Sequence, residues 1–358
     1  MGKSIEDELG TVRYLLKGTR GRVDLPIYDG PITAGECIIQ SMLGDKNPPY
    51  MPNYRFLKTM TPRINPDNEA RGFITDGGQP IFHPEGFPDM FGITWVFIPQ
   101  VGGAMVKPGA PTLEDMNDWE DVVKWPDPEK WDWEYQKEVS KDHVNEKELA
   151  LSPTIVNGYF ERMISFMDFE GAALALIDDD QKDAVHAFLD RLADLYIKII
   201  DLYCLHFPQI QGFTIHDDWG SQRAPFFSLN TAMEMLVPHM KKVADHIHSK
   251  GLFYDMHCCG QVEALIPAMI EIGVDCWSGQ PMNDKIKLYD LYGDKILIGV
   301  ETPSIPADMP DEEVERIAKE FVDRLMVPGK PAMVSYNSDI HRPEFFKYVY
   351  KYSREKFG

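Results

Sequence analysis

From about Leu151 to the C-terminus, short apolar runs alternate with amphipathic stretches, and nothing else in the sequence restricts the fold as strongly. Residues 152–156, 212–215, 252–256, 274–277, 296–300 and 332–335 read as strands. Val185, Phe188, Leu189, Leu192, Leu195, Tyr196 and Ile199 recur at helical spacing and predict one apolar helix face. A second helix carries Leu236, Met240, Val243, Ala244 and Ile247, and Thr231-Ala232-Met233-Glu234 supplies a capping-box start for it. A third, acidic at its start, is expected over 311–326. Repeated strand–helix alternation calls for a parallel sheet. The number of repeats, in a chain of 358 residues, favours an α/β fold closed into a (β/α)8 TIM barrel over an open doubly wound sheet. No G-x-G-x-x-G or Walker sequence follows a strand, which weakens a nucleotide-binding alternative.

The first 149 residues differ: they are rich in Pro, Gly, Trp and Met, with little sustained periodicity. Trp119, Trp125, Trp131 and Trp133 sit among acidic and proline-containing turns. They are expected to pin an irregular N-terminal extension to the barrel through buried aromatic rings, or to cap its mouth. Residues 1–358 are read as one domain, with an irregular part over 1–149 and clear repeats over 150–358. A hydrophobic fraction of 44% is enough for a large core. The formal charge of −21 speaks against nucleic acid and anionic membranes as partners, since both require concentrated positive charge. No apolar run reaches the roughly 18 residues of a membrane span. The N-terminus is polar and acidic, and the five cysteines do not resemble a disulfide framework, so the cytoplasm is the expected location.

In a barrel, chemistry sits at the C-terminal strand ends. Four of these are unusually polar: His216 to Gln222, His257-Cys258-Cys259-Gly260, Glu301-Thr302, and Asn337-Ser338-Asp339 with His341. His257 and Cys259 at i, i+2 can reach one metal ion where the chain turns sharply, and Gly260 permits that turn. Imidazole and thiolate together suit zinc. On spacing alone a lone H-x-C is a weak signal, and a structural His257 beside the two reduced cysteines Cys258 and Cys259 is the commoner case. Asp217 and Asp218 carry two open roles: general acid, base or substrate ligand, or acceptor of backbone N–H groups at a helix start. Trp219 and Gln222 are placed to line a pocket, although packing is the commoner role for such a tryptophan. Glu301 follows an apolar run and could supply a carboxylate or cap a turn. His239, His246 and His248 fall on a predicted helix and read as exposed surface residues. No G-x-S-x-G nucleophile elbow is present.

Several of these segments resemble the uroporphyrinogen decarboxylase-like family. They are Ile215 to Gln222, Phe227-Ser228, Pro238, Met256 to Gln261, Ile270 to Asp275, Gln280 and Tyr292-Gly293-Asp294, with Asp89 to Trp95 at the start. The resemblance implies a (β/α)8 barrel and one of two activities. True decarboxylases of this kind are metal-free and use arginines and an aspartate. This chain has no Arg-Gln-Ala-Gly-Arg motif near its N-terminus, and His216-Asp217-Asp218-Trp219 replaces the Phe-Asp-Ser-Trp type of motif. Corrinoid-dependent methyltransferases, the other branch, hold zinc through H-x-C and a later cysteine. His257 and Cys259 match the pair, but Tyr336-Asn337-Ser338-Asp339-Ile340 lacks the cysteine. The resemblance therefore leaves Glu301, Asp339 or His341 as third ligand and points to O-demethylase-type relatives, whose ligands vary. It implies Asp217, Asp218 and His257 as catalytic groups, Trp219, Gln222 and Asn337 as substrate contacts, and zinc on His257, Cys259 and Glu301. The corrinoid would come from a partner protein. A metal-free decarboxylase and a non-catalytic tetrapyrrole binder are the rivals.

Overall fold

The computed structural model describes residues 3–19, 22–75, 83–98, 103–107, 109–335 and 339–358. All six expected strands form, with ends within two residues of expectation: Ala150–Ile155, Gly212–His216, Phe253–His257, Cys276–Trp277, Leu297–Val300 and Met333–Val334. Two compact units result. One comprises Met1–Lys58, Lys147–Ala150 and Asp275–Gly358, and the other Thr59–Glu146 and Leu151–Val274.

In the second unit the strands Ala150–Ile155, Gly212–His216 and Phe253–His257 run parallel in that order. Their register sets Thr154 opposite Thr214, Thr214 opposite Asp255, and His216 opposite His257. Side chains alternate along a strand, so Phe213, Ile215, Tyr254 and Met256 share one buried face. The other face is polar. Ser152 and Thr214 share a hydrogen bond of 2.9 Å, and Thr214 donates to Asp255 at 3.1 Å. The crossover helix Lys182–His206 buries all seven residues of the predicted stripe. The next helix begins differently from expectation. Ser228, not Thr231, caps the first turn, and Ala232–Leu236 winds as a π segment before Val237–Ser249. A serine with extended backbone is what a cap requires, whereas Thr231 already has helical dihedrals.

The tryptophan-rich stretch is anchored as expected. Trp119 and Trp125 pack edge-on at 6.0 Å and both meet Phe188 of helix Lys182–His206. Trp133 lies flat on His206 at 5.0 Å and donates its indole N–H to the Pro128 carbonyl. The stretch is less irregular than its sequence suggests. Phe87–Pro88, Thr94–Ile98 and Gly103–Val106 form a small antiparallel sheet. Three charges lie wholly inside: Arg162 pairs with both Asp67 and Asp89, the latter at 2.6 Å.

In the first unit, Cys276–Trp277, Leu297–Val300 and Met333–Val334 run parallel in that order. Helices Asp311–Leu325 and Glu344–Phe357 pack on one another, and Val314, Ala318, Phe321, Val322 and Leu325 form the buried stripe of the former. Asp311, Glu312 and Glu313 occupy its first turn, where the helix dipole favours negative charge. A hairpin, Val12–Leu16 with Leu25–Tyr28, opens the unit. Buried Glu8 fastens the preceding turn to Arg354 and Tyr350 at 2.7–2.9 Å. None of the five cysteines is in a disulfide, and no helix among the described residues is long and apolar enough to cross a membrane.

The Arg162 triad gives a stability test. Arg162→Leu leaves two buried carboxylates without their cation, and we expect a loss of about 3–5 kcal/mol in urea unfolding. A loss below about 1 kcal/mol would mean that these carboxylates reach solvent.

Candidate functional site

The pairing of Gly212–His216 with Phe253–His257 ends on two histidines side by side. Their rings stack at 4.7 Å with an 11° tilt. Asp218, two residues beyond His216, turns back so that its Oδ1 lies 3.7 Å from His216 Nε2 and accepts the Cys259 N–H at 2.7 Å. Ligand atoms of His216, Asp218 and His257 all lie within 4.8 Å of one another, the spacing of groups that share a metal ion. Cys259 Sγ is 3.3 Å from His257 Nε2. Gly260 makes the turn at φ +93°, and a Cβ there would sit 2.2 Å from the Gly220 carbonyl oxygen, so only glycine fits.

Behind this cluster stands a charged layer. Glu161 accepts from His216 Nδ1 at 2.5 Å, which assigns that nitrogen the proton and leaves Nε2 as the nitrogen that could bind a metal ion. Arg71 holds the other Glu161 oxygen at 3.0 Å and also reaches the Val156 carbonyl and Asn157. Burial by itself would lower the His216 pKa, but the carboxylates of Glu161 and Asp218 outweigh it and raise the value. His257 responds oppositely. Although its side chain still meets solvent, the protein packed around the ring, and next the His216 ring, push its pKa down to about 4. Its lone pair is then available at neutral pH. Burial would raise the Asp218 pKa, yet His216 and His257 reverse this and keep the carboxylate ionised. Burial, and then Asp218, raise the Cys259 thiol, so a thiolate there would need a cation to balance it.

Asp217 takes the second of its two open roles. It is wholly buried, accepts the N–H groups of Phe160 and Glu161 at 3.1 and 2.9 Å, and takes the Trp219 indole N–H at 2.8 Å. It thereby fastens the start of helix Phe160–Ala175, which carries Glu161, to the strand end. Trp219 is buried against Phe227 and packs, whereas Gln222 is exposed. Glu301 is ion-paired with buried Lys285 in the other unit. His341 is exposed, and Asn337 lies outside the described residues. The sequence places His216 at a polar strand end without a role, and nothing in it singles out Glu161 or Arg71. The available signal was that two apolar runs, each ending in histidine, follow one another in the chain.

The sequence profile of the uroporphyrinogen decarboxylase (URO-D) family matches residues 154–332. The chain belongs to this family. Its fold is α/β, of the (β/α)8 barrel type. No curated protein sequence matches it. Among solved structures, a methyltransferase from Methanosarcina mazei aligns with 91% of this chain and 100% of that one, at 13% identity and a TM-score of 0.56, a likeness of fold. A sugar phosphate isomerase/epimerase from Parabacteroides distasonis aligns with 65% of this chain and 78% of its own, at 11% identity and a TM-score of 0.28. That score is too low to bear on the fold.

The charge on Asp217 gives a pH test. Burial first, and the Glu161 carboxylate second, outweigh its three N–H donors and raise its pKa from 3.8 to about 7. Between these values the folded chain keeps a proton that the unfolded chain releases, so this group's contribution to stability falls as pH rises through the window. The melting-temperature advantage of the native protein over Asp217→Asn should therefore be largest near the acid end and shrink toward neutrality. An advantage that grows with pH would reverse the assignment.

Proposed function

We propose that this URO-D family member is a methyltransferase that moves a methyl group between a small methylated compound, such as an aryl methyl ether, and a corrinoid carried by a separate protein. The observation that carries this reading is the convergence of His216, Asp218 and His257 at adjacent strand ends, with the Cys259 thiol beside them. Two imidazoles, a carboxylate and a thiol form a donor set that suits zinc, and their arrangement in one cluster fits a bound ion. His216 replaces Glu301 in the proposed ligand set, because the Glu301 charge is already answered by Lys285. The methyltransferase fold of the Methanosarcina mazei protein is compatible with the reading.

The chemistry requires help at oxygen. When methyl passes to cobalt(I), the C–O bonding pair stays on the leaving oxygen, which must be stabilised as alkoxide or phenolate until it takes a proton. A bound zinc ion supplies that stabilisation as a Lewis acid. Glu161 fixes the His216 tautomer, and Arg71 fixes Glu161, so the ligand nitrogen is aimed in advance. Asp218 stays ionised beside it. Asp217 acts through position, holding the helix that carries Glu161. Gln222, exposed beyond the strand end, is the proposed substrate contact. The corrinoid is borrowed from the partner, and this chain need not hold it.

The test is metal analysis together with methyl transfer from a panel of aryl methyl ethers to cob(I)alamin, followed by loss of the cob(I)alamin absorbance. His257→Ala and His216→Ala should each lose one metal equivalent and at least about 100-fold in rate, and Glu161→Gln should lose roughly 10–100-fold in metal affinity. Full transfer by metal-free protein would overturn the proposal. Carbon dioxide release from uroporphyrinogen would instead favour a decarboxylase, the activity in the family's name.

A further inference from the structure

His239 was expected on an exposed helix face, together with His246 and His248. It is buried instead, at 7% exposure, and meets a second histidine. His186, near the start of helix Lys182–His206, places Nδ1 2.9 Å from Nε2 of His239, near the start of helix Val237–Ser249. The rings are 5.2 Å apart and inclined at 47°. Asp190, one turn after His186 on the same helix, lies 4.0 Å from the remaining nitrogen, His239 Nδ1. Lys242 holds that carboxylate at 2.9 Å and is itself braced by Asp194 at 2.7 Å. The His239 carbonyl accepts the hydroxyl of buried Tyr159, so the backbone at this point is tethered as well.

This order of groups has a chemical consequence. A carboxylate facing Nδ1 favours the tautomer with its proton there, and so turns the Nε2 lone pair of His239 toward His186. Burial, and then the neighbouring His186, push the His239 pKa down to about 4, so the ring is neutral at physiological pH. Two facing ring nitrogens can be joined by a shared proton or by a metal ion. Two imidazole nitrogens bound to one zinc at about 2.0–2.1 Å stand roughly 3.3 Å apart in tetrahedral geometry. The observed separation needs only a few tenths of an ångström of opening, which the half-exposed His186 side chain can supply. We propose that His186 and His239, backed by Asp190, form a second binding site for a borderline divalent ion such as zinc, nickel or cobalt, bridging the two helices. Imidazole nitrogen selects these ions over magnesium and calcium, and water completes the coordination, while Asp190 backs the far, Nδ1 side of His239. The site shares no residue with the His216–Asp218–His257 cluster and does not depend on the function proposed for it.

The experiment is a cobalt(II) titration of the purified full chain, read by its visible d–d bands and by equilibrium dialysis. It compares native protein, His257→Ala, His186→Gln and the double variant. His257→Ala should still bind one equivalent, and its melting temperature should rise with cobalt concentration. Adding His186→Gln should weaken that binding at least about tenfold and abolish the rise. His186 is half-exposed, so this change does not open the core. Circular dichroism of His186→Gln confirms that the fold is kept. Equal binding by His257→Ala with and without His186→Gln, or no binding by either, would overturn the site and leave a proton-sharing histidine pair.

Discussion

The in-register pairing of Gly212–His216 with Phe253–His257 is the constraint on which the candidate site rests. Parallel neighbours about 4.8 Å apart present corresponding residues on the same face, so two strands that both end in histidine bring two imidazoles into stacking contact. A slip of one residue would turn one histidine to the opposite face, among the helices, and bring Met256 or Ile215 to the site in its place. The apolar residues of that face prevent the slip. Phe213, Ile215, Tyr254 and Met256 are buried, and exchanging faces would set them among polar side chains while moving Asp255 and Thr214 into an apolar layer. The site geometry is therefore held by the core behind it.

Charges inside the unit then decide what each site residue can do. Arg71 neutralises Glu161, Glu161 orients His216, and His216 together with His257 keeps Asp218 ionised. The same histidine that gains positive character from two carboxylates suppresses protonation of its stacked neighbour. Asp217 lies one residue from this chain of effects and belongs to a different one, closing a helix start with three hydrogen bonds. Gly158 allows that contact, since a Cβ there would sit 2.4 Å from the Asp217 Cβ. Adjacent aspartates thus divide the work: one faces the cluster and the other holds the scaffold that presents it.

The arrangement also explains the polar face of the parallel strands. Ser152, Thr214 and Asp255 share a line of hydrogen bonds across three strands, directly below the rung of His216 and His257. Parallel strands buried on both faces are commonly apolar throughout. The hydroxyl groups of Ser152 and Thr214 and the Oδ2 of Asp255 are hydrogen-bonded in sequence at this depth, where an unpaired polar group would be costly.

The strands, the long helix stripe and the polar strand ends were legible in the sequence, because each depends on a local period of two or 3.6 residues. So was the turn at Gly260, where only glycine fits. The capping site was misplaced by three residues, since Thr231 and Ser228 are equally good caps until the backbone dihedrals are known. The histidines of helix Val237–Ser249 were misread, because periodicity does not reveal that His186 and His246's partner Asp201 lie on the packed neighbour. His257 and Cys259 could be paired from spacing alone, whereas His216, Glu161 and Arg71 could not. They are separated from His257 by about 40 to 190 positions, and only strand register and helix packing bring them together. By itself, then, the sequence determined which segments become strands and helices and which strand ends carry reactive groups. The tertiary structure decided which of those groups meet, because meeting depends on register, burial and compensating charge, and these exist only when distant segments pack.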